Sequence, residues 1–231
     1  MYGGVAAYFR GMYEKNQPYS ERDEDAELNS MMLREAEVEL EGEGGYFTYA
    51  EYLRLQLEGY YELLRGYLVK MPSPVDGHQV VTGWFHAELY QALKGTQCQV
   101  RIAPYDVRLF PAEDHEQYTV VQPDVCVICD ASIIERRGCH GAPDLVIEVL
   151  SKRTQLKDRT TKMLLYEQAG VREYWIVDVH DQQLEVRVLN DGVYPPLPSI
   201  YGKGSEVEST VVAGFGVSID EVFSQILPGT I

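Results

Sequence analysis

The sequence predicts a mixed α/β (α+β) fold, with a central mixed β-sheet flanked by helices, extra hairpins and an acidic N-terminal arm. Three observations predict it. Strand-like apolar runs follow one another between Cys98 and Leu150. Helical spacing of apolar residues precedes them at about 76–93 and follows them at about 157–169. A further strand pair, EYWIVDV and LEVRVL, comes after the second helix. That order suits layers of helix on sheet. A chain of 231 residues buries a real core without staples.

Each element has its own signal. Residues 1–44 carry 11 acidic and 4 basic residues and end in glycines, which marks an extension from a domain spanning 45–231. A helix is expected within the extension, from about Asp25 to Glu41. Thr48 and Glu51 form a capping box, in which hydroxyl and carboxylate each satisfy a free backbone amide. It opens a helix expected to reach about Leu57. YYELLRGYLVK reads as two short strands around Arg65-Gly66. Asp76 is placed to cap a long helix in which Val81, Trp84, Phe85, Leu89 and Leu93 recur at helical spacing, with Gly95 just past its end. The runs CQVRIAPYDVRLF, YTVVQPDVCVIC and APDLVIEVL read as strands. The second core helix stops at Gly170.

The net charge of −16 argues against indiscriminate nucleic-acid binding, yet residues 152–162 hold five basic residues and one acid, a local patch on which a phosphate backbone could dock. No apolar run approaches membrane-spanning length, so no membrane partner is expected. The N-terminus lacks a secretory pattern, which makes the cytoplasm the expected compartment. Four cysteines in such a compartment are expected to be reduced. The Cys126/Cys129 spacing hints at zinc, but residues i and i+3 of a strand face opposite sides, so small buried core residues are the expectation.

The strongest clue to chemistry is Glu148, a carboxylate inside the apolar strand Leu145–Leu150. A buried charge is costly unless paired or bound to metal. Asp124 follows Pro123 at a strand start, where proline is tolerated. If the two strands pair antiparallel, both carboxylates converge at one edge, a place suited to Mg²⁺. Lys162 shares a helical stripe with Leu165, Tyr166 and Ala169, and Asp158 lies one turn earlier, within pairing reach. Asp144 repeats the Pro-Asp pattern but lies about 13 Å along the strand from Glu148, which makes it structural.

Pro123-Asp124, Glu148 with Leu150 two residues on, and a helical Lys162 together resemble the PD-(D/E)XK nuclease superfamily. YFTYAEYLRL, YELLRGYLVKMPSP, VVQPDV and GAPDLVIEVLS followed by KMLLYEQAGVREYWIVD resemble, more closely, the Uma-two family of restriction endonuclease-like proteins, from about Tyr46 to Phe223. The resemblance implies a restriction-endonuclease-like core and a bacterial Mg²⁺-dependent endonuclease acting on DNA, with Mn²⁺ as a substitute ion. It implies Asp124, Glu148 and the Val149 carbonyl as metal ligands and Lys162 as the catalytic lysine, displaced from the usual place that Leu150 occupies here. Glu62 and His78 fall on family motifs and join the catalytic set. A homodimer is expected from fold analogy, since cutting both strands takes two sites. The competing reading is a catalytically weak or inactive protein on the same fold, acting as an accessory or regulatory factor.

Overall fold

The computed structural model describes residues 46–55, 57–151 and 154–230. The acidic extension and its expected helix lie outside these residues, as do Lys152 and Arg153.

The described chain opens with α1 (Tyr49–Tyr52), started by the capping box of Thr48 and Glu51 as expected. The helix does not continue to Leu57. Leu53, Leu55 and Leu57 are exposed, so there is no apolar face to bury beyond Tyr52. Strands β1 (Tyr61–Leu64) and β2 (Tyr67–Lys70) form the hairpin around Arg65-Gly66, both of which take positive φ. Helix α2 (Asp76–Ala92) buries Val81, Phe85 and Leu89. Asp76 is its first helical residue rather than its cap; Val75 holds that position and no side chain caps the helix.

Next come β3 (Gln99–Ile102), β4 (Val107–Arg108), β5 (Val120–Val121), β6 (Val125–Ile128), β7 (Ile134–Glu135), β8 (Gly138–His140) and β9 (Leu145–Val149). They build two sheets instead of one. The first, in the order β2-β1-β5-β4-β8-β7, holds the hairpin. The second is completed by β10 (Glu173–Asp178), β11 (Gln183–Val188) and β12 (Ser199–Tyr201), in the order β12-β11-β10-β9-β6-β3. Its β9–β10 pair is parallel and the others antiparallel, so this is the expected mixed sheet. Two runs that read as continuous in sequence cross between sheets: β3 leads into β4, and β5 into β6. A small hairpin of β13 (Glu206–Glu208) and β14 (Gly216–Ser218), then α5 (Ile219–Phe223), complete the chain.

The second core helix is broken into three: α3 (Gln155–Lys157), a π-helical turn at Asp158–Lys162, and α4 (Met163–Ala169). Gly170 ends it at φ 88°, a conformation that favours glycine.

The second sheet separates two apolar layers. Val125, Val127, Leu145, Ile147 and Val149 pack with α2, α5 and Trp175. Cys126, Ile128, Val146, Leu150 and Ile176 pack on the other side with α4 and the first sheet. Glu148 and Asp124 share the parity of this second layer. They therefore face the space between the two sheets.

The cysteines differ from expectation. Cys98 and Cys129, one step past the Gln99–Ile128 pair, are joined as a disulfide. Cys126 and Cys139 are free and buried. Cys126 packs in one layer and Cys129 against the other, the opposed placement that strand geometry requires.

Candidate active site

The site grows from the register of two strands. Val125 pairs with Ile147 across β6 and β9. One position further, Asp124 stands opposite Glu148, and side chains at opposed positions of an antiparallel pair point the same way, about 5 Å apart. The Val149 N–H donates to Asp124 Oδ2 at 2.8 Å, which locks this carboxylate to the neighbouring strand. His78, in the first turn of α2, reaches the same oxygen with Nε2 at 3.3 Å.

The opposite wall is β1. Glu62 is fully buried; its Oε1 accepts from Gln122 N at 3.0 Å and contacts Lys162 Nζ at 2.9 Å, while Oε2 accepts from Lys157 Nζ at 2.7 Å. The Lys162 ammonium bridges the walls, touching Glu148 Oε1 as well. Tyr166 donates its hydroxyl to that same Glu148 oxygen at 2.6 Å. Asp158 lies 3.9 Å from Lys162, the i,i+4 neighbour anticipated from sequence.

All five residues expected to carry the chemistry, Asp124, Glu148, Lys162, Glu62 and His78, thus meet in one connected cluster. Asp144 lies outside it, accepting from Cys129 N and Arg172. Lys157 and Tyr166 were not anticipated in the cluster. Tyr166 was within reach of sequence reasoning, since it sits one turn after Lys162 on the same stripe.

The expected basic patch is met differently by its described residues. Lys157 and Lys162 point inward, and Arg159 pairs with Asp178 and Glu185. The three described cations of 152–162 are committed to carboxylates of the fold, so among the described residues they do not form a free basic patch.

The electrostatics follow from counting. Glu62, Asp124, Glu148 and Asp158 are all buried, against Lys157 and Lys162. Were all four carboxylates ionised, the two lysines would leave an excess of negative charge in a space with little water, and protons are held to relieve it. Burial would raise Glu62, but Lys157 and Lys162 outweigh it and hold its carboxyl at about 2. Glu148 goes the other way: burial, with Asp158, Asp124 and Glu62 adding to it, pushes it up against the pull of Lys162. Burial opposes the charge on Lys162, yet Glu148 and Glu62 hold its proton tightly. Burial likewise opposes a charged His78, but Asp124 and the Val149 backbone raise it.

A divalent cation would meet the same demand. Among the described residues no three His, Cys, Asp or Glu side chains form a ready-made cage. Mg²⁺ does not need one, because it binds through one or two carboxylates and keeps waters. Asp124 Oδ1 and Glu148 Oε2 accept no hydrogen bond from the described residues, while the other oxygen of each is engaged. The donor set fits a hard cation held by two carboxylates.

A pH prediction follows. Glu148 and Asp158, raised on folding, contribute stability below the ordinary carboxylate value that is lost as pH rises through their folded values. His78, also raised, acts in the same direction above its ordinary value. Glu62, lowered, contributes stability above its ordinary value of 4.5 that is lost as pH falls towards about 2. Metal-free protein should therefore melt highest near pH ~5–6 and lower towards pH ~9. Added Mg²⁺ should flatten the alkaline decline, as thermal melts across pH will show.

The chain belongs to the Uma2 family: the model described as "Putative restriction endonuclease" matches residues 49–220. Among solved structures, a "putative nuclease belonging to DUF820" from Anabaena variabilis is similar at 21% identity, with a TM-score of 0.59 over 77% of this chain and 98% of that one. The fold is thus shared with a nuclease-like protein. A search of curated proteins found no match. Among the described residues no helix is long and apolar enough to cross a membrane.

Proposed function

We propose that this protein is a metal-dependent endonuclease that hydrolyses phosphodiester bonds of DNA. The observation that carries the reading is the facing pair Asp124 and Glu148 with the Lys162 amine on the same carboxylate. Family membership supports it. Asp124, Glu148 and the Val149 carbonyl would hold Mg²⁺, or Mn²⁺ in its place. That ion, when bound, neutralises phosphate charge and lowers the pKa of a bound water. Lys162 keeps its proton at Nζ and donates hydrogen bonds that would position the attacking water or stabilise the charge that develops on the phosphate. His78 orients Asp124 through Nε2, and Glu62 adds a carboxylate at the lysine side. Cleavage of both strands would take two copies, so a homodimer is the working assembly, with the cytoplasm as its compartment.

One observation favours the second reading, an inactive accessory factor: the net charge of −16 with lysines 157 and 162 turned inward. A cleavage assay separates the two. Mixed DNA substrates, with RNA in parallel, are incubated with Mg²⁺ or Mn²⁺ beside an Asp124→Asn control. Metal-dependent cleavage by the parent alone supports the nuclease. No cleavage of any substrate supports the accessory factor.

A further inference from the structure

We infer that Glu62 is a positioning residue: it acts as a clamp that, with Lys157 as its second partner and the π-helical turn as spacer, fixes the Lys162 amine against Glu148. The catalytic consequence rests on the nuclease reading above; the clamp itself does not.

The carboxylate of Glu62 differs from those of Asp124 and Glu148 in one respect. Both its oxygens are engaged, Oε1 by Lys162 and the Gln122 N–H and Oε2 by Lys157, in a fully buried setting. Each oxygen already has a cationic partner, unlike Asp124 Oδ1 and Glu148 Oε2 among the described residues. What Glu62 does instead is hold two ammonium groups, one of which reaches across to the opposite wall. A lysine stem has four rotatable bonds, so an amine bound only to Glu148 could swing; contact with carboxylates from two sheets removes that freedom.

The π-helical turn explains how two lysines five residues apart share one carboxylate. In a regular α-helix, residues i and i+5 point about 140° apart. A π turn closes i→i+5 bonds, which brings such residues one above the other. The turn spans Asp158–Lys162, the interval that separates Lys157 from Lys162. Single-turn π bulges recur at functional sites.

The test uses the full chain, metal-free, with ¹⁵N-labelled lysine. Ammonium groups held by buried carboxylates exchange slowly, and the parent should show protected signals for Lys157 and Lys162, assigned with Lys157→Met and Lys162→Met. Glu62→Gln keeps the shape and removes the charge; it should abolish the protected Lys162 signal while the backbone amide spectrum is retained. Its single-turnover cleavage rate with Mn²⁺ should fall roughly tenfold or more, with Mn²⁺ affinity by calorimetry little changed. If Glu62→Gln does not fold, the double variant Glu62→Gln/Lys157→Met removes both buried charges together and is read in the same way. A protected Lys162 signal that survives the loss of Glu62, or its absence from the parent, overturns the inference. So does a loss of Mn²⁺ affinity as large as that of Asp124→Asn, which would make Glu62 a ligand. A parent that cleaves nothing defeats the nuclease reading alone, and the ammonium signals still decide the clamp.

Discussion

Asp124→Asn is expected to abolish metal-dependent cleavage, by ~10²–10³-fold or more, the loss seen when a single group stabilising transition-state charge is removed. The amide can still accept the Val149 N–H, so the strand junction survives. What disappears is a charge from a pair that stands face to face. The four-carboxylate cluster then holds one negative charge fewer, and the metal-free variant should melt no lower than the parent, with weaker Mn²⁺ binding by calorimetry. Glu148→Gln should behave alike in cleavage. It is the harsher change locally, because Lys162 and Tyr166 both meet Oε1. Full activity in either variant would remove Asp124 and Glu148 from the active site.

Lys162→Ala should lose most cleavage and, unlike Asp124→Asn, much stability. Lys162 is 2% exposed and contacts Glu62 and Glu148 directly. Deleting it leaves buried carboxylates facing one another with Lys157 alone. Breaking a buried pair from one side costs ~3–5 kcal/mol, which for a chain of this size is a fall of about 6–20 °C in melting temperature. Mn²⁺ binding should persist, because Asp124 and Glu148 remain. Adding Leu150→Lys should restore part of the cleavage, since residue 150 shares the face of Glu148. Recovery should be partial: Leu150 is buried against the α4 layer, and losing its packing costs ~2–5 kcal/mol. A Lys162→Ala variant that cleaves at the parent rate would make Lys162 structural.

The sequence made much of this site legible because the evidence there is local and contradictory: a carboxylate among apolar strand residues demands a partner. Asp124 and Glu148 could be brought together on one assumption, antiparallel pairing, and β6 and β9 are antiparallel. The capping box and the Arg65-Gly66 hairpin were legible for the same reason, since each is completed within a few residues. The two-sheet architecture was not. YTVVQPDVCVIC has apolar residues on both sides of Gln122-Pro123, and nothing local says that its halves join different partners. Lys157 was hidden differently. Residues five apart share no face of an α-helix, and the π turn that aligns them carries no signal of its own in DRTTK. The Cys98–Cys129 bond spans 31 residues and depends on a register that only the folded sheet supplies.

The crossing between sheets at Gln122-Pro123-Asp124 acts as a ruler. Gln122 N–H grips Glu62 on one wall, and two residues later Asp124 accepts from Val149 on the other. The distance between lysine clamp and carboxylate pair is therefore written into the length of one tripeptide. Insertions in an exposed outer turn, such as Asp191-Gly192, should leave the cluster in place. One residue added or removed at 122–124 would put both grips out of phase at once. Length variation among working relatives should therefore be crowded into the outer turns and missing from this connector.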